Sequence, residues 1–290
     1  MPELPDIDVY VARIGERVRG QVLEDIRVSK PFLVRSFEPP LEESRGRMVR
    51  SVHRLGKRVV IELKPDYWLV LHLMVAGRLH WHADRPAIRG RHQLAAFDFS
   101  NGSLLLTEAG TKKRASLFLV RGEEALATHD PGGIEPLECS ITEFLNAIER
   151  ENRTLKRALT NPRTISGIGN AYSDEILHAA RLSPVRLTSQ LNDDEKTRLY
   201  EAMQEVLAMW RDRLLAESVD QFPEKVTAFR EGMTVHGRFG NPCPACGAKV
   251  ARICYKSSET NYCPGCQTGG KVLADRSLSR LLKDDWPGTL

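Results

Sequence analysis

The sequence predicts a two-domain α+β protein: an N-terminal helix joined to a β-rich domain, then a mainly helical domain that ends in a small module with paired cysteines. Three observations predict it. Apolar residues recur at helical spacing only at the extreme N-terminus and beyond about residue 140. Between about 22 and 122 the apolar runs are short, rich in branched and aromatic residues, and punctuated by turn signals. Near the C-terminus, Cys243-Pro-Ala-Cys246 and Cys263-Pro-Gly-Cys266 repeat one spacing. The expected divisions are 1–128, a linker at 129–140, a helical domain at 141–234, the cysteine module at 235–270 and an extension at 271–290.

Pro5 suits the first turn of a helix, where a missing N–H costs nothing. Asp6 and Asp8 suit the positive end of its dipole. Ile7, Val11, Ile14 and Val18 then mark one apolar face, so the chain terminus is expected to be pinned to a helix start. Val59–Leu63, Tyr67–Leu73, Leu94–Phe99 and Ser103–Thr107 read as strands, and Asn101-Gly102 as a hairpin turn. No helix-length pattern interrupts them, which points to a sandwich or barrel. His129-Asp-Pro-Gly-Gly133 reads as a linker. Shorter helices follow, broken at Asn161-Pro162 and at Gly167-Ile-Gly-Asn170. A long helix then carries Leu199, Met203, Val206, Trp210 and Leu214 on one face, capped by Asn192 or Asp193. Leu278, Leu281 and Leu282 suggest a short terminal helix.

The 290 residues are 41% hydrophobic, enough for a sizeable core, and the net charge of +4 is compatible with nucleic acid without requiring it. No apolar run is long enough to span a bilayer, and the N-terminus lacks a secretory signal, so a cytoplasmic, nucleoid-associated protein is expected. In a reducing compartment the two Cys-x-x-Cys pairs, sixteen residues apart, read as ligands rather than disulfides. Four thiolates from Cys243, Cys246, Cys263 and Cys266 fit one tetrahedral zinc ion and leave no open position, so the zinc is expected to be structural. Cys139 and Cys254 fall outside that spacing and read as ordinary small residues.

Pro2 carries a different kind of chemistry. Once Met1 is removed, its nitrogen is a secondary amine able to attack C1′ of a deoxyribose. The resulting iminium ion is cationic and acidifies the C2′ proton, which permits β-elimination. An amide at Pro2 has no nucleophilic lone pair, so the chemistry requires loss of Met1. Glu3 is adjacent and able to move protons on the sugar or the leaving base.

Met-Pro-Glu-Leu-Pro-Asp closely resembles the start of the formamidopyrimidine-DNA glycosylase/endonuclease VIII family. Four further stretches match in order. Leu55-Gly-Lys57-Arg-Val resembles the family's hairpin-lysine motif, and His72-Leu-Met-Val-Ala-Gly77-Arg its histidine-leucine motif. The stretch from Lys156 through Asn170 to Glu175 resembles its helix–two-turn–helix. Val235-His-Gly-Arg-Phe-Gly-Asn-Pro-Cys243 onward resembles its zinc-finger hairpin. The resemblance covers nearly the whole chain. It implies an N-terminal helix with a β-sandwich, a helix–two-turn–helix domain with the finger, and damaged double-stranded DNA held in a cleft between them. It further implies a monomer with one structural zinc ion and no organic cofactor or membrane partner. By matching position, Pro2 is the Schiff-base nucleophile, Glu3 the acid/base, and Lys57 a hairpin residue that reaches a phosphate or assists elimination. His72, Lys156 and Asn170 are expected to hold phosphates; His92, Lys113 and Lys256 complete the candidate DNA contacts. Gly167 and Gly169 allow the backbone to approach a phosphate, and a helix start at Asn170 suits one. A duplex hides its sugars, so the lesion must be turned out of the stack.

The sequence also departs from the family. Ser258 stands where the finger usually has an arginine that supports a second, δ elimination. The family's Pro-Arg-Arg-Phe gap-filling stretch is replaced by Glu108-Ala-Gly-Thr-Lys-Lys113-Arg114-Ala, with no aromatic. The third filler falls at Met74 or Val75. The stretch 217–234 lacks the glycine-rich loop that covers 8-oxoguanine. Oxidised pyrimidines, ring-opened purines or abasic sites are therefore expected as substrates ahead of 8-oxoguanine opposite cytosine. The alternatives are a non-catalytic damaged-DNA-binding protein on the same scaffold and a zinc-ribbon regulator that reads sequence.

Overall fold

The computed structural model describes residues 1–224, 226–227, 230–255 and 258–273, which form two compact units. Met1–Pro131 and Trp210–Thr227 make the first unit; Gly132–Met209 and Ala228–Leu290 make the second. The first unit thus takes back 210–227 from the stretch that the sequence reading gave to the helical domain.

The first unit opens with α1 (Leu4–Val18) and continues through β1 (Val22–Val28), β2 (Arg47–Leu55), β3 (Arg58–Leu63), β4 (Tyr67–His72), β5 (Gly77–His82), β6 (Gln93–Phe99), β7 (Gly102–Glu108), β8 (Ser116–Arg121) and α2 (Glu123–Ala127). Every pairing is antiparallel, in the order β5-β7-β6-β1-β2-β3-β4-β8. β1 and β2 share only two paired positions, Val22 with Met48 and Leu23 with Arg47, and the ladder folds there into two four-stranded halves. Period-two alternation sends Val59, Ile61 and Leu63 of β3 into the core with Phe97, Phe99, Leu104 and Leu106. Ile7, Ile14 and Val18 of α1, all fully buried, enter the same core, as the helical spacing predicts. The other face of β3 and β4 is apolar too: Val60, Trp68 and Val70 are covered by Ala125 and Leu126 of α2. The expected β-sandwich with an N-terminal helix is therefore present.

Two local details differ from the sequence reading. The β6–β7 turn is made by Ser100 and Asn101, while Gly102 already pairs with Phe99 in the ladder. A Cβ on Gly102 would lie 2.5 Å from the Trp81 ring and 2.6 Å from the His82 carbonyl, so close approach of β5 fixes the glycine. Strand β4 ends at His72, one residue earlier than predicted.

The second unit contains α3 (Ile141–Glu149), α4 (Leu155–Thr160), α5 (Asn170–Ala179), the start of α6 (Asp193–Glu217), β9 (Ala251–Cys254), β10 (Glu259–Tyr262) and α7 (Pro264–Gln267). Asn192 caps α6 reciprocally: its side chain accepts from Glu195 N–H at 2.9 Å, and the Glu195 carboxylate accepts from Asn192 N–H at 3.0 Å. All five residues of the predicted α6 stripe are buried. Among the described residues, no helix is long and apolar enough to cross a membrane. Lys256 and the predicted terminal helix with Leu278, Leu281 and Leu282 lie outside the described residues.

Candidate active site

In the first unit the head of α1 is built for permanence. Pro2 and Glu3 are buried, and Pro5 occupies the first turn. Asp6, fully buried, reaches back to accept from Glu3 N–H at 2.9 Å, a reciprocal cap that the sequence reading missed. Tyr10 accepts from Leu79 N–H at 3.2 Å, and Arg13 donates to Ser218 Oγ at 3.1 Å and to the Leu215 carbonyl at 2.8 Å. The helix is thus fixed to β5 and to 210–227. The pKa of the Met1 amine is lowered, first by burial, with Glu3 and Asp6 opposing and Arg78 and Lys57 acting in the same direction as burial.

Lys57 and Gly56 form the two-residue turn between β2 and β3, with Leu55 paired to Arg58. Gly56 takes φ +60°, which glycine adopts without strain. His72 closes β4. Burial, with Arg58 and Lys57 adding to it, pushes its imidazole down to about 4, so the ring is neutral near pH 7. Its Nδ1 accepts from Met74 N–H at 3.0 Å, which leaves the ring proton on Nε2 as a donor. The sequence-predicted residues Lys57 and His72 therefore act electrostatically on each other, and Lys57 acts on the chain terminus.

The turn after His72 is tight. Gly77 N–H donates to the Leu73 carbonyl at 2.9 Å, and a Cβ on Gly77 would stand 2.2 Å from that oxygen. Met74 has φ +53° and is half-buried, whereas Val75 at the apex is 60% exposed, so Val75 is the residue of this pair that projects. The neighbouring 109–115 loop is closed at its base by buried Glu108, whose carboxylate accepts from the N–H groups of Arg114 (2.9 Å) and Ala115 (3.2 Å). Lys113 donates to the Glu108 carbonyl and to His92 Nδ1, the latter at 3.2 Å, which brings two of the candidate DNA contacts together.

In the second unit Lys156 and Asn170 also meet, though around a carboxylate. Lys156 Nζ donates to the Asn170 carbonyl at 2.6 Å and to Asp174 Oδ1 at 2.5 Å; the lysine is 11% exposed and Asp174 fully buried. Lys156, expected to hold a phosphate, is thus ion-paired to a buried carboxylate. Asp174 Oδ2 also accepts from His236 Nδ1 at 2.8 Å and from Asn261 N–H at 3.1 Å. Asn170 Nδ2 donates to the Glu259 carbonyl at 2.8 Å. The adjacent Glu175 carboxylate accepts from three consecutive amides, those of Thr234, Val235 and His236. These bonds lock the helix–two-turn–helix to the β9–β10 hairpin. Asp174 and Glu175 stand in the quoted motif with Lys156, yet their partners in 234–236 and at Asn261 are some sixty to ninety residues away, and no local spacing announces those.

The four predicted cysteines converge. Cys246 Sγ lies 3.4 Å from Cys263 Sγ, and Cys243 Sγ 3.9 Å from Cys266 Sγ. Four thiolates about 2.3 Å from one zinc ion would lie about 3.8 Å apart, so the set fits a tetrahedral ion. Gly265 keeps the cradle open, since a Cβ there would stand 3.0 Å from Cys246 Sγ. Among these thiols, a backbone bond from Ala248 heads the causes that lower Cys246 to about 7, whereas burial pushes Cys263 up to about 11 and raises Cys266 as well. His178 of α5 joins Cys243, Cys263 and Cys266 in a group whose ligand atoms all lie within 4.8 Å of one another, with Nε2 3.3 Å from Cys243 Sγ. An imidazole N–H at that distance serves as a donor to a bound thiolate. The sequence reading missed it because His178 lies 65 residues before Cys243.

The formamidopyrimidine-DNA glycosylase N-terminal domain family matches residues 1–113, and the formamidopyrimidine-DNA glycosylase H2TH domain family matches residues 133–210. A curated formamidopyrimidine-DNA glycosylase of Heliobacterium modesticaldum is 33% identical over 278 residues, covering 92% of this chain and 100% of the relative. A formamidopyrimidine-DNA glycosylase-like protein of Mycobacterium tuberculosis is 40% identical over 151 residues, 52% of this chain and 94% of its own. Among solved structures, a Lactococcus lactis enzyme in complex with Fapy-dG-containing DNA superposes with a TM-score of 0.80 at 25% identity, covering 92% of this chain and 100% of its own. The Lactococcus lactis formamidopyrimidine-DNA glycosylase bound non-covalently to DNA containing an abasic site gives 0.79 at 25% identity, covering 92% and 99%.

Proposed function

The chain belongs to the formamidopyrimidine-DNA glycosylase family, and on that premise we propose that it is a bifunctional DNA glycosylase and abasic-site lyase of base excision repair, acting through a Schiff base on Pro2 once Met1 is removed. One observation carries the reading: Pro2 and Glu3 are buried at the head of α1, which Asp6 caps by accepting from Glu3 N–H and which Tyr10 and Arg13 fix in place. The Pro2 amine attacks C1′ of an extruded nucleotide, and the base leaves with a proton. Glu3, beside the nucleophile, gives a proton to the ring oxygen as the C1′–O4′ bond breaks, which opens the sugar and leaves the C1′ iminium ion on the Pro2 nitrogen. The iminium ion then acts as the electron sink: loss of the C2′ proton forms a C1′–C2′ enamine conjugate and expels the 3′ phosphate from C3′. Lys57 is proposed to reach a phosphate or to assist proton transfer during elimination, and His72 to donate from Nε2 to a phosphate.

Damaged double-stranded DNA is the proposed substrate and the protein acts as a monomer, in the cytoplasm on the nucleoid. Oxidised pyrimidines, ring-opened purines and abasic sites are favoured, because the 109–115 loop offers no aromatic filler. With Ser258 in the finger, β-elimination is the expected extent of cleavage. Cys243, Cys246, Cys263 and Cys266 are proposed to hold one structural zinc ion, which when bound closes the finger hairpin.

Borohydride trapping on a duplex with one abasic site tests the reading, with intact mass recording the fate of Met1. Chain lacking Met1 is expected to form a covalent adduct and to nick the strand; chain retaining Met1 is expected to form none. Tight binding without an adduct by the processed chain would sink it and leave a lesion-binding protein.

A further inference from the structure

Arg54 belongs to no motif singled out in the sequence, yet it connects the two parts of the site in the first unit. Its side chain on β2 is 11% exposed. Nε donates to Asp8 Oδ1 at 2.7 Å, on the helix whose head carries Pro2 and Glu3. Nη1 donates to the Gly56 carbonyl at 3.2 Å. That carbonyl shares its peptide plane with the Lys57 N–H, so the bond fixes the direction in which Lys57 leaves the turn. Leu55 pairs with Arg58 across the two-residue turn, and the Arg54 bond to the Gly56 carbonyl adds a side-chain tie at its tip. A guanidinium can serve a carboxylate and a carbonyl at once because its donors lie in a rigid plane; an ammonium has no such plane.

We propose that Arg54 is a positioning residue that holds the Lys57 turn in register with the N-terminal nucleophile, through Asp8 on one side and the Gly56 carbonyl on the other. The proposal rests on the Pro2 reading given above. Arg54 touches neither substrate nor reacting atoms; it acts through Lys57. A displacement of about an ångström in a reacting group is sufficient to slow a reaction severalfold to a hundredfold.

The test is single-turnover nicking of abasic duplex by full-length, Met1-processed chain, with binding and urea unfolding measured on the same preparations. Arg54→Lys is expected to slow nicking about tenfold with affinity for the duplex within about twofold of wild type. Asp8→Asn is expected to slow it in the same sense. In a Lys57→Ala background, Arg54→Lys is expected to change the rate by less than about twofold, since the residue through which it acts is gone. Undiminished nicking by Arg54→Lys overturns the proposal. So does an equal slowing with and without Lys57, which would make Arg54 a general support of the fold. Failure of the Pro2 reading is separately visible: the wild-type chain itself would then give no borohydride adduct, and both ideas fall together.

Discussion

His72 illustrates how much one side chain depends on its surroundings. Its imidazole is pushed from 6.5 to about 4, first by burial and then by Arg58 and Lys57. Above about pH 6.5 the folded and unfolded chains both hold the neutral ring, and no cost is felt. Below it the unfolded chain takes up a proton that the folded chain refuses until about pH 4. Stability is therefore lost through that window, by about 2 kcal/mol at pH 5 and up to about 3 kcal/mol in full. Urea unfolding at pH 7.5 and pH 5 measures the loss, and His72→Gln is expected to show a shallower decline than wild type. At this scale the sequence exposed residue identities but not their circumstances. The four cysteines could be picked out from their spacing, and Pro2, Glu3 and Lys57 through the family resemblance of the motifs that hold them. Nothing in the neighbourhood of Lys156 indicated that a buried Asp174 would claim its ammonium, or that Asp6 would cap Glu3.

Elements respond to backbone limits and to buried charge. The β4–β5 turn admits only a residue without a side chain at its end, because a Cβ on Gly77 would meet the Leu73 oxygen at 2.2 Å. Gly77→Ala is expected to cost about 2 kcal/mol or more, read from the shift in the unfolding midpoint. The helix–two-turn–helix depends on Asp174 in another way. Removing that carboxylate leaves the Lys156 ammonium nearly covered and without its anionic partner. Asp174→Ala is expected to cost roughly 3–5 kcal/mol, and Asp174→Ala with Lys156→Met to recover part of it. Elements with strong local signals were legible: α1 from its apolar spacing, α6 from its stripe and cap, and β3, β4, β6 and β7 from compact branched runs. Strands β1, β2, β5 and β8 were not individually visible. Arg47, Arg50, His53 and Arg54 of β2, for example, interrupt its alternation, and the strand is held by pairing to β3 rather than by its own pattern.

The whole molecule divides its dependence between two kinds of stabilisation. The first unit has a continuous apolar core from α1 through β8, whereas among the described residues the cluster around the finger's cysteines is small, with Val235, Val250 and Ala248 beside the cysteines themselves. Stripping metal with a strong chelator is expected to abolish binding to abasic duplex while the far-ultraviolet β signal of the sandwich persists. Loss of both together would contradict the division. Binding is also expected to weaken about a hundredfold or more between 50 and 200 mM salt, because cations on phosphates dominate it. The order of the domains could be read from the sequence because each has its own periodicity. The regrouping of 210–227 with the sandwich could not, since it rests on contacts such as Arg13 with Ser218 across some two hundred residues.

Glu175 has a consequence on a slower timescale. Irregular backbone ordinarily surrenders its amide protons to solvent deuterium within seconds to minutes, yet three successive amides, Thr234, Val235 and His236, are bound to one buried carboxylate. Their deuterium uptake is therefore governed by an opening event that must release all three at once, and they should retain protium as long as the amides of α5 do.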